Sequence, residues 1–206
     1  MKKRTLVLLL VLVAAICLCL ILLPRLGTHR PAQTVQGEPW DENWTMLGSV
    51  LGVEEPGNGF VLLDNNSILT VQDTYLATWA SGDPVNYVTA GGDDTQIYEA
   101  EIFLLLQGCK DNENAQIAMN EWMDLAGDSY TVSETLTEAH GGLEYTVLTY
   151  TVDSETNPYN QGVSAYAVFE NYAVSAELSC LDSYAGYIAA ILADFLDGCH
   201  CASTES

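Results

Sequence analysis

The chain opens on an unbroken apolar run and then changes period several times, and each change marks an element. From Leu6 to Leu23 eighteen residues follow one another without a charge, a Gly or a Pro. A helix of that length rises roughly 27 Å, close to the hydrocarbon thickness of a bilayer. The pattern predicts a cytoplasmic N-terminus at residues 1–4, a transmembrane signal-anchor helix at 5–23, a polar linker at 24–39, a folded domain at 40–201 and a disordered tail at 202–206. Within the domain, Trp40, Trp44, Leu47 and Leu51 fall at helical spacing and predict a short helix over about 40–51. Phe60 to Leu63 and Ile68 to Gln72 flank Asp64-Asn65-Asn66-Ser67 and read as strand, turn, strand. Tyr75, Ala77 and Trp79 alternate with Thr74, Leu76 and Thr78 in a third strand. Breaks follow at Gly82-Asp83-Pro84 and Gly91-Gly92-Asp93-Asp94. Ile97 to Gln107 ends in a continuous apolar run suited to a central strand.

The period then lengthens. Ala115, Ala118, Met119, Trp122, Leu125 and Ala126 mark one face of a helix, with Asp111 or Asn112 to cap its start and Gly127 to end it. Tyr130 to Leu136, Leu143 to Val152 and Val163 to Phe169 return to strand character. Glu170-Asn171 turns the chain into Tyr172 to Cys180, where Tyr172, Val174, Ala176, Leu178 and Cys180 alternate with Ala173, Ser175, Glu177 and Ser179. That period of two predicts a sheet with one covered face. A last helix is capped by Asp182, buries Tyr184, Ile188, Ile191, Leu192, Phe195 and Leu196, and ends at Gly198. Short connections favour antiparallel hairpins. The predicted fold class is therefore α+β: an N-terminal transmembrane helix, then a mainly antiparallel sheet covered on one face by two or three helices.

This order of elements over about residues 45–198, with the Tyr-rich hairpin Gly162 to Cys180 before the last helix, resembles the PsbP/Mog1-like fold. The resemblance implies a curved antiparallel sheet backed by helices, and a binding or assembly factor of the kind often found outside the cytoplasm. It transfers no functional residue to this chain.

Charge sharpens the picture of the anchor and of the partners. Lys2, Lys3 and Arg4 hold the N-terminus in the cytoplasm, and Arg25 and Arg30 weaken that asymmetry without reversing it. The expected location is the cell membrane, single-pass, with the C-terminal domain outside. A cleavable signal peptide has a shorter apolar region, about 7–15 residues, ending at a small-x-small site. Here the run ends Leu22-Leu23-Pro24-Arg25. A lipoprotein signal wants a small residue where bulky Ile16 precedes Cys17. All 28 acidic residues lie beyond residue 30, against a single lysine, Lys110, so the portion from Pro31 onward carries a net charge of −27 with His neutral. Such a field repels nucleic acid and anionic headgroups and favours cationic partners. Self-repulsion of this size predicts a fold whose stability rises with added salt.

Candidate chemistry is sparse. Cys17 and Cys19 sit in the membrane run as apolar filler. Cys109, Cys180, Cys199 and Cys201 allow three pairings, of which Cys109–Cys180 with Cys199–Cys201 is favoured because Cys109 and Cys180 each end a strand that leads into a helix. A Cys180–Cys199 bridge would have to fold back over a helix roughly 22 Å long. Cys199-His200-Cys201 also carries soft metal ligands, but without a fourth group. His140, in Glu138-Ala139-His140-Gly141-Gly142, is the one histidine well inside the domain and is expected on an exposed turn. No nucleophile motif, zinc-protease motif or phosphate loop is present. Asp111-Asn112-Glu113-Asn114 and Asp64-Asn65-Asn66 are oxygen-rich but lack the full pattern of a calcium loop, and read as a helix cap and a turn. Asn43-Trp44-Thr45 and Asn65-Asn66-Ser67 match the glycosylation triplet. No catalytic residue, metal site or cofactor is assigned. The chain reads as a non-catalytic binding or assembly module that meets an envelope protein or ligand, with Tyr159 and Tyr166 as exposed aromatics. The alternatives are a carboxylate-based hydrolase and a cation-binding or redox protein.

Overall fold

Strands dominate because β-branched, aromatic and small residues alternate through most of the domain. The computed structural model describes residues 50–201, apart from 55, 64–68, 72–73, 82–83, 90, 153–156 and 183–185. The expected membrane helix, the linker, most of the 40–51 helix, the Asp64–Ser67 turn, both glycosylation triplets and the tail lie outside the described residues. Among the described residues no helix is long and apolar enough to cross a membrane.

In chain order the elements are β1 (Leu51–Val53), β2 (Val61–Leu62), β3 (Leu69–Val71), β4 (Thr74–Ser81), β5 (Val85–Val88), β6 (Asp94–Ile97), β7 (Ala100–Gly108), α1 (Asn112–Ser129), β8 (Thr131–His140), β9 (Leu143–Thr151), β10 (Gln161–Phe169), β11 (Tyr172–Cys180), α2 (Ile188–Asp197) and β12 (Cys199–Cys201). The main sheet has eight strands in the order β2-β4-β7-β11-β10-β9-β8, with β3 also paired to β4. All its pairings are antiparallel. Two small sheets stand apart from it, β5 with β6 and β1 with β12. The Gly91–Gly92 break is therefore the turn of a hairpin, and the C-terminal Cys199–Cys201 segment is a strand rather than a loose end.

The hairpins follow their turn residues. Gly141 and Gly142 both take positive φ, 56° and 87°, the geometry of a tight turn whose twist matches the flanking strands β8 and β9. Glu170 takes φ 52° at the β10–β11 turn. The Asp111 carboxylate caps α1, accepting from the backbone N–H of Asn114 at 2.9 Å. That settles Asp111–Asn114 as a helix cap. Gly127 does not end α1, which runs on to Ser129 and stops where Tyr130 turns extended. Asp182 is not the cap of α2, whose first turn has no side-chain cap. It accepts instead from Asn160 and Gln161, tying down the start of β10.

The expectation that two or three helices cover one face is overturned. Among the described residues there are two helices, and each covers a different face of a mostly antiparallel sheet. Ile188, Leu192, Phe195 and Leu196 of α2 pack with Val174, Ala176 and Leu178 of β11 and Val163, Ala165 and Ala167 of β10. Ala115, Met119 and Ala126 of α1 pack with Ala173 of β11 and Tyr166 of β10. These residues have opposite parity along their strands, so they point to opposite sides. The polar-looking half of the β11 alternation is the floor beneath α1, not a solvent face.

The antiparallel register also corrects the favoured disulfide. Tyr172 pairs with Gly108 and Cys180 with Ala100, which sets Cys109 and Cys180 at opposite ends of the sheet. At about 3.3 Å per residue the strands separate them by well over 20 Å, and a disulfide needs Cα atoms within roughly 7 Å. Two strands that each lead into a helix end at the same edge only if they run parallel. Cys109, Cys180, Cys199 and Cys201 are all free thiols. Cys199 and Cys201 stand two residues apart on β12, close to 7 Å in an extended chain and at the outer limit of a bridge.

Candidate functional site

Beneath α1 the sheet presents Ala173, Ser175, Glu177 and Ser179 from β11, small or polar residues where a closed core would need large apolar ones. The start of α1 is held down firmly. The Asn112 side chain donates to the carbonyl of Glu170 at 2.7 Å, and the Asn171 side chain donates to the carbonyl of Cys109 at 2.8 Å. Ala115 and Met119 then seat against the sheet. Towards its C-terminal half the helix spans Ser175 and Glu177 without filling the space above them. The result is a cleft of about 210 Å³, walled by Trp122, Leu125, Ala126 and Ser129 of α1, by Tyr130, and by Leu105 and Tyr166 from the sheet. Glu177 and Ser175 form its floor.

Glu177 is held in place from two strands. Tyr150 donates its hydroxyl to Glu177 Oε1, and Ser179 Oγ donates to the same oxygen at 3.0 Å. Tyr150 lies on β9 and Glu177 on β11, with β10 between them. Tyr150 reaches across because the residue it crosses is Gly162, its partner in the β9–β10 register and the partner of Ser179 in the β10–β11 register. A Cβ on Gly162 would collide with the Tyr150 ring and hydroxyl. Tyr130 stacks on Tyr150 with centroids 4.2 Å apart and planes 11° from parallel. Burial pushes the Glu177 carboxyl above its ordinary range, and the hydrogen bonds from Tyr150 and Ser179 offset only part of that. Burial first, and then the Glu177 charge, push the Tyr130 hydroxyl up to about 12. Tyr166, also desolvated, lies at about 12.

A second cluster lies on the other face. His140 ends β8 at the Gly141–Gly142 turn, as expected, but its side chain is only 14 % exposed. Its Nδ1 is 2.8 Å from Asp197 of α2 and its Nε2 is 3.2 Å from Glu138. Burial alone would lower its pKa. The two carboxylates outweigh that and raise it.

The residues singled out from sequence do not converge on a site. Tyr166 is buried at 4 % exposure, and Tyr159 is half-buried with its hydroxyl enclosed. Neither is the exposed aromatic that was expected. Strand alternation sends Cys199 and Cys201 into the core cluster and its edge, while His200 points outward to Glu54 at 3.5 Å. The Cys199-His200-Cys201 ligands therefore diverge. Burial pushes the Cys199 thiol up to about 12, and its Sγ donates to the carbonyl of Phe195. Among the described residues no group of three or more His, Cys, Asp or Glu side chains is placed to hold a metal ion. Glu177, Tyr130 and Gly162 entered the sequence reading only as strand positions, and Tyr150 was not singled out. The available signal was Gly162 in the interior of a strand, which marks a close approach.

No protein-family model matches the chain, and no curated protein does. Twelve chains of solved structures match it. One is the solution structure of cyanobacterial PsbP, CyanoP, from Synechocystis sp., at 8% identity and a TM-score of 0.38, covering 85% of this chain and 99% of that one. The PsbP-like resemblance expected from element order is thus met, as a weak one, and nothing about function is taken from it.

Proposed function

We propose that this protein is a membrane-tethered, extracytoplasmic binding module that takes a small ligand in the cleft between α1 and the sheet. The observation that carries the reading is Glu177, a carboxyl fixed by two donors at the floor of a largely aromatic and apolar cleft. Binding sites are commonly built this way, from an apolar lining with a few convergent polar groups. The tether and its direction rest on the Leu6–Leu23 run and on Lys2, Lys3 and Arg4. Hydrolysis through paired carboxylates finds less support, because Glu177 is the one carboxylate among the described residues lining the cleft.

Two experiments test the reading. A thermal-shift screen of small molecules against the full chain should yield compounds that raise the melting temperature of the wild type and not of Ser175→Leu, which fills the cleft floor. Compounds that stabilise both equally would place binding elsewhere. A C-terminal alkaline phosphatase fusion should be active and a C-terminal fluorescent-protein fusion dark. The reverse pattern would put the domain in the cytoplasm.

A further inference from the structure

Within the cleft reading, which this step assumes, the chemistry of the ligand follows from what surrounds Glu177. Glu177 is half-buried on the cleft floor, and a partly desolvated carboxylate is stabilised by a cation or by a full set of donors. Here both donors, Tyr150 and Ser179, engage Oε1, and no hydrogen bond reaches Oε2 among the described residues. Among the described residues no lysine, arginine or histidine lines the cleft. Lys110 is the one lysine or arginine beyond residue 30 and is exposed ahead of α1. His140 is bound to Asp197 and Glu138 on the opposite face, and His200 lies outward on β12. The arrangement is nonetheless built rather than tolerated, since Gly162 gives up its side chain so that Tyr150 can reach Glu177.

The walls narrow the choice further. Trp122, Tyr130 and Tyr166 offer aromatic surface around the space that Glu177 borders. Aromatic faces attract ammonium groups, and the attraction grows where water is excluded. A hard metal ion wants six or more oxygen ligands, and the cleft lining provides one carboxylate and a few hydroxyls. At about 210 Å³ the space is smaller than the 300–1,000 Å³ usual for drug-sized ligands, so the occupant is headgroup-sized. The net charge of −27 over the same portion of the chain raises the local concentration of any cation.

We propose that the cleft between α1 and the sheet binds a small organic cation, an ammonium group carrying apolar substituents, with Glu177 Oε2 as its counter-ion and Trp122, Tyr130 and Tyr166 as its walls. Binding the cation favours the ionised carboxyl, so affinity rises with pH as Glu177 loses its proton. The titratable groups facing it are Tyr150 from β9, Tyr166 from β10 and Tyr130. Burial raises all three above their ordinary range, and α1 contributes none.

The test uses the full chain in mild detergent, with choline and its uncharged isostere 3,3-dimethyl-1-butanol as probes, followed by titration calorimetry. Choline should bind and the isostere should not. Glu177→Gln keeps an oxygen acceptor for Tyr150 and Ser179 and is expected to fold. It should weaken choline by at least about tenfold, the loss expected when one partner of an enclosed charge pair is removed. Trp122→Leu should weaken it by a smaller factor. Equal binding of the isostere, or full choline affinity in folded Glu177→Gln, overturns the proposal. If choline does not bind while Ser175→Leu still abolishes stabilisation by other compounds, the cation is wrong and the cleft stands. If Ser175→Leu changes nothing either, the cleft reading fails with it.

Discussion

Under α2 the sheet shows Val174, Ala176 and Leu178 to a helix lined with Ile188, Leu192, Phe195 and Leu196, and Trp79 meets Phe195 at 5.2 Å between ring centroids. Under α1 the same strands show Ala173, Ser175 and Glu177 to a helix that touches them through Ala115, Met119 and Ala126. The first face is closed by large apolar side chains and carries the bulk of the hydrophobic burial. The second is held at one end by side-chain-to-backbone hydrogen bonds and left open at the other. One sheet thus carries a closed face and a half-open one. Strand alternation makes that possible, because neighbouring residues belong to different environments.

If the faces differ in this way, the largest loss of stability belongs to the α2 side. Phe195→Ala should cost about 3–5 kcal/mol in urea unfolding, through lost burial and the cavity left against Trp79. A loss below about 1 kcal/mol would mean that this face is not the principal core. On the α1 side the sharpest steric constraint is Gly162. Gly162→Ala should cost about 1–3 kcal/mol, as overpacking does, and should displace Tyr150 from Glu177, visible as altered stacking of Tyr130 in the near-ultraviolet spectrum.

The two faces also respond to pH in separable ways. Glu177 has a folded pKa above its ordinary value of 4.5, so the folded protein favours the protonated form more than the unfolded chain does. Its contribution to stability is present at the ordinary value and below, and is lost as pH rises through the raised one. Glu177→Gln should remove that decline and leave the unliganded protein about 1 kcal/mol more stable near neutral pH. A variant as pH-sensitive as the wild type would refute the assignment. His140 works on the other face and should have the smallest effect. Its folded pKa is raised above 6.5, so its ion pairs stabilise fully below that value and fade as pH climbs through the raised one. Asp197→Asn should flatten this step while leaving the Glu177 decline intact. Melting temperatures of the two variants across pH 5–9 separate the faces.

Much of the fold was legible along the chain, and the pattern of success is physical. The span Tyr172 to Cys180 matches β11 at both ends, and the α1 face through Ala115, Met119 and Ala126 is the buried one. Asp111 was named among the caps. Periodicity reports on such features because each depends on residues within one or two turns of each other. The β5–β6 hairpin and β12 were missed, being three or four residues long and too short for a period to show. The candidate site was almost illegible. A glutamate between Ala176 and Leu178 in an alternating strand looks like any solvent-facing residue.

The amino-acid order alone marked the turns at Gly141–Gly142 and Glu170–Asn171, the start of α1, and that one lysine stands against 28 carboxylates in the portion beyond residue 30. Only the folded chain decided which face each helix covers, that Cys109 and Cys180 lie at opposite ends, and that Tyr150 meets Glu177 over a glycine. The reason is range. Local elements answer to neighbouring residues, whereas strand order, register and face are set by contacts between residues tens of positions apart, which no pattern within a single segment encodes.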